Sequence, residues 1–290
     1  MRQESQGWLN GLLGVLVFAG SLPATRLALA DFSPEFLTGA RACIAGILSV
    51  IMVLIFKQNK PQLMHYPSIA IVALGAVFGF PFFTALALQY ISSAQSIVFI
   101  GLLPLSTAIF AVLCGKEHPQ PKFWLFAVLG SACIVYFIYL QTYSKNDLIG
   151  YLWMVCAIMV CGLAYAEGGK LSRTLGGWQV IAWALILSLP IMLIFTGFYL
   201  PKSFAHVQLS GILSLLYVSI FSMFLGFVFW YKGLAQGGIA AVGQLQLLQP
   251  FFGFVLAALF LHETIHWQFV VITLAVLCCV GFAKKYAYAA

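Results

Sequence analysis

Ten stretches of mostly apolar residues follow one another along the chain, at about 8–29, 35–56, 68–90, 93–115, 122–142, 148–170, 177–200, 209–232, 239–261 and 265–284. Each has roughly the 20 residues that a helix rising ~1.5 Å per residue needs to cross a hydrocarbon core. None alternates strictly between apolar and polar, and an open sheet edge cannot be satisfied in lipid, so the pattern predicts transmembrane helices. The joints are short and carry polar or turn residues, such as Asp31 to Pro34, Lys57 to Pro67 and Lys116 to Pro121. None is long enough for a soluble domain. The expected fold is an all-α integral membrane protein of ten transmembrane helices.

Marks within this pattern recur. Pro104 lies deep in the fourth stretch with Glu117 thirteen positions on, and Pro250 and Glu263 repeat the pair in the ninth. Both anchors are displaced by 146 residues, and Phe83, Leu88 and Ala94 meet Phe229, Leu234 and Ala240 at the same displacement. An internal duplication is expected, with one five-helix repeat over 1–143 and a second over 144–290. Five helices is an odd number, so the two repeats are expected to lie inverted in the membrane.

Composition agrees and adds orientation. Only 7% of the 290 residues are charged and 63% are hydrophobic, against about 25% charged in a soluble domain. The formal charge of +7 is scattered singly and forms no nucleic-acid-binding patch. With ten spans, one side carries Arg2, Lys57, Lys60, Lys116, Lys122, Lys170, Arg173, Lys232, Lys284 and Lys285, and the other only Arg26, Lys145 and Lys202. That bias predicts cytoplasmic N- and C-termini in a bacterial-type inner membrane. The first apolar stretch is read as a helix rather than a cleaved signal, because its counterpart near 150–172 is retained. The seven cysteines lie in apolar runs without ligand spacing, so neither metal nor cofactor is expected.

The whole chain resembles the drug/metabolite transporter superfamily, specifically its EamA-type members. The resemblance is carried by the two Pro-x12-Glu pairs, by Phe82 to Ile91, by Trp230 to Leu234, and by Thr25 to Ala28 followed by Arg41. It implies ten helices around a central cavity, alternating access, and traffic in small metabolites, often amino acid export. Small multidrug relatives couple to protons through a glutamate in their first helix. The first stretch here holds no acid, so that mechanism does not carry over.

Several residues carry candidate chemistry. Pro104 and Pro250 sit near mid-membrane and free the carbonyls of Ile100 and Gln246, giving either a static kink or a hinge. Glu117 and Glu263 end their apolar runs and are candidate gates. Gln244, Gln246 and Gln249 put three amides in six residues, as cavity lining or helix–helix glue. Arg41, inside the second stretch, is a candidate for a substrate carboxylate, or else it snorkels or pairs with Glu35 or Asp31. Thr25, Tyr165, Trp183, Trp230 and Phe83 complete the candidate substrate contacts, with core packing as the alternative. Glu167 and Lys170 form either a local ion pair or a coupling site. Gly75/Gly79 and Gly233/Gly237 predict close helix contacts in both halves.

The expected function is a carrier of small metabolites in the lipid bilayer, acting as a monomer or weak homodimer. Uptake and drug efflux are alternatives within transport. A membrane enzyme would need clustered acids, histidines or cysteines, and a channel a charged ring or carbonyl filter; neither pattern stands out.

Overall fold

In the computed structural model of the protein, the described residues are 2–114, 116–141 and 147–261, with 271, 274–275, 278–279, 281–283 and 285–286. They form nine helical rods: α1 (Gln3–Ala28), α2 (Pro34–Ile55), α3 (Leu63–Ala87), α4 (Ser93–Ile100, continued by Leu103–Leu113), α5 (Pro121–Gln141), α6 (Asp147–Leu175), α7 (Gly177–Phe198), α8 (Leu209–Gly237) and α9 (Ile239–Phe260). Seven are long and apolar enough to cross a bilayer. Helix α4 falls short only because it is broken before Pro104. Among the described residues there is no strand. Most of the tenth apolar stretch, Glu263, and the expected boundary at 142–146 lie outside them.

Local chemistry sets the helix limits. The Ser33 hydroxyl accepts from the Phe36 amide at 3.2 Å and Pro34 follows at the first turn, which fixes the start of α2. Helices α6 and α7 part at Gly176 (φ 94°) and α8 and α9 at Gly238 (φ 84°), a backbone region other residues enter only with strain.

Helix α3 packs on α6 through Gly75 and Gly79, and α8 packs on α1 through Gly233 and Gly237, as the spacing predicts. A Cβ at Gly75 would stand 2.4 Å from the Val160 carbonyl oxygen, and one at Gly233 2.6 Å from the Gly11 nitrogen. Both obstacles are backbone, so a side chain must push the helices apart. Gly233→Val is expected to destabilise the purified protein by about 1–3 kcal/mol. A melting temperature equal to wild type would show that α1 and α8 do not need this approach.

Two features have no hydropathy signature. Helix α3 widens into a π-helical stretch at Ala73–Gly79, and α8 does so at Tyr217–Gly226. Displacing the first by 146 residues lands it inside the second.

Charged residues gather at the ends. Lys57 and Lys60 lie beside Thr174 and Leu175, Arg173 beside Glu117, and Lys232 beside Gly177, all at one end of the bundle. Arg26, donating to the Leu88 carbonyl, and Asp31, accepting from the Gln208 amide, mark the other.

Candidate functional site

Proline lacks an N–H, so each mid-helix proline disturbs the bonds before it. Before Pro104 the helix ends at Ile100, and the Gly101 carbonyl accepts from the Ser131 hydroxyl of α5 at 3.3 Å. The carbonyl given a side-chain partner is thus one residue later than expected. Before Pro250 the chain tightens into a 3-10 stretch, Gln244–Leu248. The residue ahead of each proline, Leu103 and Gln249, lines one central cavity.

That cavity lies among α1, α2, α3, α4, α6, α8 and α9 and offers about 10 Å3 to the centre of a water molecule, room for roughly one water. Its walls include three pairs at the 146-residue displacement: Ala76 with Ser222, Pro81 with Phe227, and Leu103 with Gln249. Ala76 and Ser222 come from the two π-helical stretches. Wide turns thus face the cavity from both halves, with the polar members all in the second.

Among the described residues Arg41 is the cavity's one charged side chain, and it is only 4% exposed. Its Nη2 lies 3.5 Å from the Ser222 hydroxyl, which donates to Ser21 at 3.0 Å, and its Nε has no partner. Among the described residues no carboxylate lies within 4 Å of it. Neither pairing considered from the sequence forms: Asp31 instead accepts from the Gln208 amide at 3.2 Å, and Glu35 makes no ion pair. A buried cation without a counter-charge is costly, and such residues in membrane helices characteristically face the bundle interior, as Arg41 does.

Gln249 donates through Nε2 to the Phe18 carbonyl at 3.4 Å, while its buried Oε1 has no partner. Aromatic rings, Phe18, Phe80, Tyr165 and Phe227, form much of the apolar wall. Phe227 stands edge-on to Phe18 at 5.0 Å and to Tyr165 at 5.8 Å, and Trp230 packs behind them 5.3 Å from Tyr165.

The structure therefore brings Arg41, Tyr165 and Gln249 together, with Trp230 one layer back. Gln246, fully buried, lies beside the Tyr165 hydroxyl without bonding it, and Gln244 is buried with both amide atoms unpartnered. Thr25 is buried on α1 but lines no wall of this cavity. Phe83 turns away and stacks on Trp153 at 5.6 Å. Trp183 lines a separate polar pocket with Lys57, Lys60 and Gln179. Sequence reading missed Phe18, Ser21, Ser222 and Phe227, because serine and phenylalanine are ordinary in apolar helices. The 146-residue displacement applied to Ala76 and Pro81 would have pointed to the last two.

Glu117 has a defined role at the bundle end. Its two oxygens accept from the Ile239 amide at 2.9 Å and the Ala240 amide at 2.8 Å, the free donors at the start of α9. Arg173 at the end of α6 pairs with the same carboxylate at 2.5 Å. One side chain therefore ties the end of α4 to α6 and α9. Glu167 is buried, accepts from the Ser68 hydroxyl at 2.8 Å, and lies 3.7 Å from the half-exposed Lys170. Among the described residues, no group of histidines, cysteines or acids is arranged to hold a metal ion.

Comparison with known proteins follows the same lines. The EamA-like transporter family model matches twice, over residues 5–139 and 148–283. The uncharacterized transporter YdeK of Bacillus subtilis (strain 168) is 55% identical over 99% of this chain and all of its own length. YyaM of the same organism, also named an uncharacterized transporter, is 24% identical over 82% of this chain and 81% of its own. A solved structure titled only as the crystal structure of a protein superposes with a TM-score of 0.78, covering 96% of this chain and 98% of its own, at 18% identity. That likeness bears on fold alone. With two family matches that together span most of the chain, and a transporter-named relative at 55% identity, the protein belongs to the EamA-like transporter family, within the drug/metabolite transporter superfamily.

Proposed function

We propose that this protein is a secondary transporter of small metabolites, amino acids and related compounds foremost, favouring export across a bacterial-type inner membrane by alternating access. The observation that carries the reading is the central cavity. A buried guanidinium, an unpartnered amide oxygen and an aromatic wall converge on one space. Such a set suits a compound with a carboxylate and an apolar body.

The proposed architecture is two five-helix repeats in opposite orientation. Gly7 lies against Gly237, and Gly177 against Lys232, so the start of α1 and the end of α6 share one end of the bundle. The counterpart pair α1 and α6 thus runs in opposite senses, which supports inverted repeats around a midplane site. The lysine-rich end is assigned to the cytoplasm by the positive-inside rule.

With room for about one water, the cavity is closed around the site. Cargo enters after the helices separate, and Glu117 holds the cytoplasmic end shut. Glu167 is a candidate coupling group on the same side.

Counterflow in liposomes tests the carrier. Excess unlabelled solute inside should drive transient uptake of labelled solute against its gradient; simple downhill equilibration would point to a channel. In the same assay Gln246→Ala is expected to lower flux by about tenfold, since it empties the buried space beside the Tyr165 hydroxyl and lets that wall of the cavity shift. Unchanged flux would remove Gln246 from the site.

A further inference from the structure

We propose that the cargo carries a net charge of minus one: a monocarboxylate with an apolar or aromatic body and no ammonium group. The inference rests on the carrier reading but departs from its amino acid preference: among amino acids and related compounds it favours the carboxylates that lack the ammonium group. Among the described residues Arg41 is the only charged side chain in the cavity wall. The buried and part-buried acids described lie away from this wall, among them Glu117 and Asp31 at the bundle ends, on the start of α9 and on the Gln208 amide, Glu167 on Ser68, and Asp147 on the Tyr151 hydroxyl.

The site therefore brings one positive charge into a space with room for about one water. In so dry a site the total charge of wall plus cargo decides which ligand is held. A monocarboxylate brings that total to zero and satisfies the unpartnered Nε of Arg41.

A zwitterion does less. Its ammonium finds the free Oε1 of Gln249 and the faces of Phe18 and Tyr165. Those groups meet its hydrogens but are themselves neutral, so the closed site keeps one unbalanced positive charge. An amine without a carboxylate adds like charge. The expected order is carboxylate, then amino acid, then amine.

Three probes of nearly one shape isolate charge: 4-methylpentanoate, leucine and 3-methylbutylamine, bound to the purified protein at neutral pH and read by thermal shift. The acid should bind at least about tenfold tighter than leucine, and the amine should give no shift. Arg41→Met should abolish binding of the acid. Gln249→Glu should do so too, because its carboxylate neutralises the guanidinium from inside the cavity. Leucine binding as tightly as the acid, no shift with any probe, or acid binding unaffected by Gln249→Glu would each overturn the charge assignment. Counterflow of a neutral or cationic solute would then leave the carrier reading standing. Absence of counterflow with every solute would overturn the carrier reading itself.

Discussion

Arg41→Met is expected to abolish transport while raising the melting temperature. The two effects have one cause. The guanidinium is buried, reaches Ser222 only at 3.5 Å and leaves Nε unbonded. In the unliganded protein it is a desolvated charge with little in return, and even a buried ion pair, which is better compensated, can often be replaced by apolar groups of similar volume with a neutral effect or a gain of about 1–4 kcal/mol. For cargo the balance reverses, because losing one member of a buried charge pair costs about 2–5 kcal/mol of binding, or roughly 30-fold and more in affinity. Flux in liposomes and a melting curve on the same preparation separate the roles. Loss of flux with a lowered melting temperature would make Arg41 part of the scaffold. Arg41→Lys is expected to recover little, since an ammonium is a point donor without the planar fork.

Glu117→Gln is expected to loosen the lysine-rich end of the bundle. The carboxylate accepts both free amides at the start of α9 and pairs with Arg173. A glutamine turns an N–H2 towards one of those amides and removes the charge that complements the helix terminus. Caps are worth about 0.5–2 kcal/mol and a hydrogen bond to a charged group about 1.5–3 kcal/mol, reduced here because Arg173 is partly exposed. A net loss of about 2 kcal/mol shifts the closed-to-open ratio roughly 30-fold. A cysteine at Thr107, buried between α4 and α9, reports it in a background without other cysteines. A membrane-impermeant maleimide applied from the side of that lysine-rich end should label it about tenfold faster or more in the Glu117→Gln protein. An unchanged rate would mean that Glu117 caps α9 without closing a path.

How far the site was legible can be argued residue by residue. Arg41 stood out because a charge inside an apolar stretch is rare, and Gln249 because amides are few there. The aromatic argument that singles out Tyr165 applies equally to Phe83 and Trp183, yet they face Trp153 and a peripheral pocket. An aromatic residue in a membrane helix has the same hydropathy whichever way it faces, and the helices here are apolar on nearly every side. Periodicity therefore gives weak guidance on orientation. Ser21 and Ser222 were invisible for a related reason: a serine can bond its own helix backbone, as Ser49 and Ser188 do.

The linear order of residues by itself determined the membrane class, the approximate helix limits, the bias of positive charge and the 146-residue recurrence. These follow from bilayer thickness and from the cost of exposing polar groups to lipid, both of which act on local stretches. Only the tertiary structure decided which side chains meet. Two π-helical turns, a 3-10 stretch before Pro250 and the glycine contacts of α1 with α8 and α3 with α6 set the rotation of each helix. That rotation arises from packing between helices distant in sequence, and it alone put Arg41, Tyr165 and Gln249 around one space.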